Sequence, residues 1–193
     1  MNESDNLKRI QLREAIQSEL KASIEDKVTR YLEVNHQLMI GAHYFSAAST
    51  ECIYLYRDGY FIASVMMSHA INEGIIKFVA ERNNIERQKN GGDTKSIEEL
   101  IEELREGKLI SEACAHASNS IWKSFRADIH HMNPTVTEIP FQKLASQNLQ
   151  NLSTIERELF GFDYAEHGGI IPHQPKYWDI NADGKTAVSI RFA

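Results

Sequence analysis

The fold is decided by residues 60–81, YFIASVMMSHAINEGIIKFVAE, which carry apolar side chains on nearly every face of a predicted helix. A helix that is hydrophobic almost all round is typical of the central helix of a bundle. Within it, His69 and Glu73 are four residues apart and share a face, so we expect them to satisfy each other by a hydrogen bond or to lie at the edge of the core. The stretch predicts an all-α bundle built around this helix.

The N-terminal region, residues 4–37, contains no glycine or proline and predicts one long helix. Its apolar residues recur at every fourth position: Leu12, Ile16, Leu20, Ile24, Val28 and Leu32. This spacing exceeds the helical repeat by about 40° per step, so the stripe winds around the helix. Such a helix bends, meets different neighbours at its two ends, or offers one end to a second subunit.

Further helices are predicted at residues 43–56, 96–105, 111–134 and 141–159. Ser96 with Glu99 fits a capping box, and Ser111 fits an N-cap. The helix that begins after Ser111 has an apolar stripe formed by Ala117, Ile121, Phe125, Ile129 and Met132. Residues 83–95 are polar, contain Gly91 and Gly92, and predict a loop.

The C-terminal region changes character. Residues 177–180 and 187–192 are β-like, with Val188, Ile190 and Phe192 alternating, and residues 181–184 between them predict a hairpin turn. An isolated hairpin is marginally stable in water, so it should lie against the helices or a partner. We therefore predict a helical bundle over residues 1–160, followed by an extension over residues 161–193 with a small β-hairpin.

Composition narrows the class of protein. The chain has 193 residues, of which 42% are hydrophobic, which is enough for a sizeable core. The N-terminus shows no apolar signal-peptide segment, and no run approaches the ~20 apolar residues of a membrane span. Cys52 and Cys114 lie within helical patterns, which favours reduced core thiols. A cytoplasmic protein with no membrane association is expected.

Two further classes of function are disfavoured. The formal net charge of −6 argues against a cationic surface that coats nucleic acid, so any contact with nucleic acid must be local. His-Glu-x-x-His, paired cysteines and a phosphate-binding glycine loop are all missing from the sequence. The sequence therefore predicts neither a metal site nor a cofactor.

Residues 121–134, IWKSFRADIHHMNP, contain an arginine and two histidines at a spacing that makes this segment the candidate catalytic site. Cations at a helix C-terminus are favoured by the helix dipole, so the cluster is explicable as a helix end that Pro134 terminates. Arg126 is also able to grip a phosphate, while a histidine exchanges protons with a ribose 2′-OH and a leaving oxygen. On a continuous helix His130 faces the same side as Arg126, whereas His131 is rotated from it by about 140°.

The run Arg126-Ala127-Asp128-Ile129-His130-His131 resembles the Arg-x-x-x-x-His signature of HEPN domains. The resemblance covers about residues 44–159 and implies an antiparallel all-α bundle. It also implies a homodimer whose two signatures form one composite site. Many members of this family are metal-independent endoribonucleases of toxin–antitoxin, phage-defence or RNA-processing systems. RNA and an antitoxin or other protein are therefore the expected partners.

The resemblance also implies roles for individual residues. Arg126 holds the phosphate, and His131, which the motif spacing selects, acts as general acid and base with assistance from His130. The candidate substrate-side residues are Lys123, Asp128 and Glu73, of which Glu73 is expected to orient Arg126 and Lys123 to add a phosphate contact. The family usually has a polar residue after the arginine, where this chain has Ala127. That departure favours the alternative of a non-catalytic helical module that binds a protein partner.

Overall fold

The structure is a computed structural model that describes residues 3–88 and 92–191. Its α-helices are α1 (Glu3–Glu33), α2 (Ser46–Arg57), α3 (Phe61–Arg82), α4 (Ile97–Glu106), α5 (Glu112–Trp122), α6 (Arg126–His131) and α7 (Phe141–Phe160). Its strands are β1 (Met39–Gly41), β2 (Phe162–Tyr164), β3 (Ile170–Pro172) and β4 (Val188–Ile190). The predicted mostly helical architecture is confirmed. Gly91 and Phe192, which entered the predictions of the loop and the hairpin, lie outside the described residues.

The predicted central helix is confirmed as α3, which packs against α2, α4, α5, α6 and α7. Its buried apolar residues are Val65, Ile71, Ile75, Ile76, Phe78, Val79 and Ala80. Each large aliphatic side chain that is fully buried contributes roughly 1.5–3 kcal/mol of transfer free energy, so this helix supplies a large part of the hydrophobic stabilisation. Cys52 and Cys114 are buried free thiols, as predicted.

The predicted continuous helix over residues 111–134 is wrong. Ser111 is the N-cap of α5 as expected, but α5 ends at Trp122 and a second, six-residue helix α6 begins at Arg126. The Ser124 hydroxyl donates to the carbonyl of Ile121 at 2.6 Å, and a hydrogen bond of this kind competes with the helical ladder. Phe125 then adopts a left-handed conformation at φ 55°, which turns the chain.

The predicted long N-terminal helix is confirmed as α1, although it ends at Glu33 rather than near residue 37, and its apolar stripe is not covered. All residues from Ser4 to Ala22 are exposed, and so are Ile24, Val28 and Leu32 of the stripe. Contact with the bundle is made near the end of the helix, where Arg30 donates to the carbonyl of Arg57 at 2.8 Å. No helix among residues 3–88 and 92–191 is long and apolar enough to cross a membrane.

The C-terminal extension does contain an antiparallel hairpin, but it is formed by β2 and β3 rather than by the predicted segments. Gly168 and Gly169, both at φ 86°, supply the backbone of its turn. Residues 175–177 form a 3-10 helix instead of a strand, and Trp178 after it is buried in the core. The strand β4 pairs with β1 at the start of the bundle. The extension is therefore packed into the same core as the helices.

Candidate active site

The short helix α6 lies against the central helix α3 and is held there by Ile129, which is fully buried. Two pairs of side chains face each other along this contact. Arg126 approaches Glu73, and the ring of His130 lies 5.7 Å from the ring of His69, centroid to centroid. Since the earlier residue of α6 meets the later residue of α3, the two helices run antiparallel here. On each helix, the residue of one pair lies one turn from the residue of the other pair.

Arg126 is oriented by its neighbours without being fully bonded to them. Its guanidinium carbon lies 4.2 Å from the ring centroid of Trp122, a cation–π arrangement, and its Nη2 is 3.6 Å from Glu73 Oε2. The second distance is that of an ion pair but is longer than a hydrogen bond. Arg126 Nε is buried and has no hydrogen-bond partner among the described residues. With 41% of the side chain exposed, the guanidinium keeps donors for a ligand.

Glu73 is shared between two cations. Its Oε1 accepts a hydrogen bond from Lys77, one turn later on α3, while its Oε2 faces Arg126. The carboxylate thus balances positive charge on both sides and fixes where Arg126 can lie. Of the two alternatives for His69 and Glu73, a mutual hydrogen bond is not found among the described residues: His69 Nε2 contacts Ser124, and Glu73 pairs with Lys77 and Arg126.

His69 belongs to a buried polar network that sequence reasoning missed. Asn148 of α7 donates to Ser124 Oγ at 3.1 Å and to Ser68 Oγ at 2.9 Å. Because the Ser124 hydroxyl hydrogen goes to the carbonyl of Ile121, the 2.9 Å contact between His69 Nε2 and Ser124 Oγ places a proton on Nε2. Nδ1 of His69 is buried and has no hydrogen-bond partner among the described residues.

The same burial determines the charge of His69. Desolvation by burial, together with the nearby charges of His130 and Arg126, lowers the pKa of its imidazole to about 4. His69 is therefore neutral at pH 7 and adds no positive charge beneath His130. One sequence signal for this network was available, since Asn148 interrupts the apolar stripe of α7 at a position that is buried.

Of the remaining predicted site residues on α6, His130 and His131 are exposed, whereas Asp128 is hydrogen-bonded within the protein. His130 and His131 are both exposed near the end of α6, which Met132 closes in a left-handed conformation. His130 lies on the α3 side with Arg126. Asp128 Oδ1 accepts hydrogen bonds from Asn133 at 3.1 Å and Thr135 at 2.8 Å. These bonds lower the pKa of Asp128 and fasten the segment after α6, so this carboxylate has a structural role.

Lys123 lies in the turn before α6 and is exposed. It lines a shallow groove of about 320 Å³, which we call the Arg126 groove, together with Glu98, Trp122, Phe125, Arg126, Ala127 and Asp128. The groove brings the two cations Lys123 and Arg126 together, but it also contains the carboxylates of Glu98 and Asp128. Its attraction for a phosphate therefore depends on the cations being nearer to the ligand than the carboxylates.

Comparisons of the chain with protein families, with curated proteins and with solved structures find no match. The HEPN hypothesis therefore rests on the Arg126–His131 motif and on the helical order that surrounds it. Among the described residues, no group of three or more His, Cys, Asp and Glu side chains is arranged to hold a metal ion.

Proposed function

We propose that the protein is a metal-independent endoribonuclease of HEPN type. The observation that carries the proposal is the state of Arg126, which Trp122 and Glu73 position while 41% of its side chain stays exposed to a ligand. An arginine held in this way suits a phosphate diester, which accepts two parallel hydrogen bonds from a guanidinium. Two exposed histidines follow on the same short helix, within one turn and a half.

The reaction needs only groups that these residues possess. A neutral histidine, His131 by the motif spacing with His130 assisting, removes the proton from a ribose 2′-OH. The 2′ oxygen attacks the adjacent phosphorus, the bond from phosphorus to the 5′ oxygen breaks, and the leaving 5′ oxygen takes a proton from the imidazolium formed in the first step. A 2′,3′-cyclic phosphate and a 5′-OH result. Arg126 stabilises the charge that develops on the phosphoryl oxygens.

A homodimer with two signatures in one cleft is part of this proposal. The long helix α1 supports it, because its exposed apolar residues follow one i, i+4 ridge. Ridges of this type interdigitate with identical ridges when two helices cross at about −50°, so the stripe is complementary to itself. Two copies related by a two-fold axis satisfy such a contact. Replacing Leu20 with Glu should convert a dimer to a monomer in sedimentation experiments, whereas Gln17→Glu should leave the dimer intact.

The proposal is tested by incubating single-stranded RNA with the protein in EDTA. Wild type should cleave, while Arg126→Ala and His131→Ala should each lose most of the activity. Arg105→Ala removes a half-buried arginine that is paired with Glu102 and Glu112, and His167→Ala removes an exposed histidine; both lie outside the signature and should cleave normally. Cleavage that survives both signature substitutions would disprove the mechanism. His130→Ala decides which histidine exchanges the proton.

The alternative is a non-catalytic module that binds a protein, such as an antitoxin or a phage-defence component. Ala127 after the arginine and the uncovered stripe on α1 both favour it. A folded wild type that cleaves no RNA in the assay above would select this alternative. If that protein is also monomeric, the α1 stripe is the first surface to test for a partner.

A further inference from the structure

Phe125 has a strained backbone and does not bury its ring. Its φ of 55° lies in the left-handed region, which is unfavourable for a bulky residue and which glycine adopts freely. The sequence predicts Phe125 as a core residue, yet the residue is 49% exposed. Neither local conformation nor hydrophobic burial explains an aromatic residue at this position. Strained residues that persist in this way are concentrated at binding sites.

The ring of Phe125 lies between two grooves. On one side is the Arg126 groove of about 320 Å³. On the other is a groove of about 450 Å³, which we call the amide groove because Gln147, Asn148, Gln150 and Asn151 line it. Ser120 and Ser124 add hydroxyl groups to its lining. One aromatic residue thus separates a groove with two cations and two carboxylates from a groove lined largely by amide and hydroxyl groups, with His116 and Leu144.

The two grooves offer partners for two different parts of a nucleotide, the phosphate and the base. Arginine and lysine bind phosphate oxygens, whereas carboxamides present both a donor and an acceptor, as the edges of nucleobases require. Single-stranded RNA is bound by stacking splayed bases on aromatic side chains next to such groups. The floor of the amide groove is rigid, since Asn148 is buried and bonded to Ser68 and Ser124.

We infer that Phe125 is a nucleobase-stacking platform, with a phosphate of single-stranded RNA in the Arg126 groove and the neighbouring base in the amide groove. This inference rests on the proposed function and adds to it the substrate class, which is unpaired RNA rather than a duplex. The strained turn at residues 123–125 is the element that exposes the ring between the two grooves. The same turn places Arg126 at the start of α6.

Binding, separated from cleavage, tests the inference. The probe is a fluorescent 2′-O-methyl RNA strand, which has no 2′-OH to attack, and the reference is a strand of the same length with abasic sugars throughout. Wild type should bind the strand with bases at least about 5-fold more tightly than the abasic strand, the lower end of what one stacked base contributes. Phe125→Gly should lose that preference while its melting temperature is unchanged or higher, because glycine relieves the strain.

Two variants serve as controls. Phe125→Leu keeps an apolar side chain without the aromatic face, and should also lose the preference. Met132→Gly relieves a left-handed residue of similar exposure that lines neither groove, and should keep it. A preference for bases that persists in Phe125→Gly, or a wild type that binds both strands equally, would overturn the inference while leaving the nuclease proposal standing. A base preference without cleavage of unmodified RNA would overturn the nuclease proposal alone, and binding of neither strand would overturn both.

Discussion

Two arginine–glutamate pairs in this protein are built from the same groups and differ in what surrounds them. Arg191 donates from Nη1 and Nη2 to the two oxygens of Glu156 at 2.7 and 2.8 Å, and from Nη2 to Ser49 Oγ at 2.7 Å. Only 1% of its side chain is exposed. Arg126 approaches Glu73 no closer than 3.6 Å and remains 41% exposed.

The difference lies in the Nη groups, because Nε has no hydrogen-bond partner in either arginine among the described residues. The Nη groups of Arg191, the residue after β4, bond to Glu156 of α7 and Ser49 of α2 and so hold the end of this strand to both helices. Arg126 is only positioned, by a ring below it and a carboxylate beside it. An arginine whose charge is balanced but whose donors are unused is available to a ligand. Arg191 and Glu156 therefore serve the fold, and the exposure of Arg126 is what supports the proposed role of the second pair in recognition.

The largest expected effect is on the free energy of unfolding, which should fall much more when Arg191 is replaced than when Arg126 is replaced. Arg191→Met leaves the buried Glu156 carboxylate uncompensated and should lower the free energy of unfolding by about 3–5 kcal/mol. Arg126→Met breaks a half-exposed ion pair and should cost about 1 kcal/mol or less. Urea denaturation followed by far-UV circular dichroism measures both. The double variant Arg191→Met/Glu156→Met is the control and should recover part of the loss, and equal losses for the two single variants would refute the assignment.

The next effect concerns pH, because the polar network under Arg126 contains a buried titratable group. The pKa of His69 is about 4 in the folded protein against 6.5 in an unfolded chain. As the pH falls, His69 is therefore protonated in the unfolded chain before it is protonated in the folded protein. The contribution of His69 to stability is complete above pH 6.5 and is lost as the pH falls from 6.5 towards 4. The loss amounts to about 3 kcal/mol at most.

The measurement is the difference in unfolding free energy between wild type and His69→Gln, whose amide can still donate to Ser124. Carboxylates common to both proteins cancel in this difference. The advantage of wild type should be constant above pH 6.5 and should shrink below it. A difference that is independent of pH between 4 and 7 would show that His69 is solvated.

The sequence predicts features that depend on neighbouring residues, but not those that depend on residues far apart along the chain. The apolar pattern of α3 and the caps at Ser96 and Ser111 depend on residues within a few positions, and these predictions were confirmed. Arg191 and Glu156 are 35 positions apart and meet only in the folded chain. The break before Arg126 depends on Ser124, whose hydroxyl has partners on α3 and α7, so a local apolar stripe predicted a continuous helix.

In the proposed cleavage reaction, the arginine whose loss has the large effect should be Arg126, whereas for stability it should be Arg191. Arg126→Ala should lower the rate of RNA cleavage by about 100-fold or more, which corresponds to about 2.7 kcal/mol of transition-state stabilisation. Arg126→Lys keeps the charge but loses the two parallel donors, and should recover little activity. Single-turnover cleavage rates measure both, with Arg105→Ala as the control. A fully active Arg126→Lys would mean that charge alone suffices at this position.

The smallest effect tests whether Glu73 positions Arg126 or only neutralises it. Glu73→Gln keeps the size of the side chain and removes the attraction to the guanidinium, so the cleavage rate should fall by about 10-fold through lost orientation. The affinity for 2′-O-methyl RNA should stay the same or rise, since a carboxylate near the bound phosphate has been removed. Lys77→Met breaks the other ion pair of Glu73 and should leave the rate unchanged. If Glu73→Gln weakened binding and cleavage equally, the carboxylate would act through the fold, and the second pair would resemble the first.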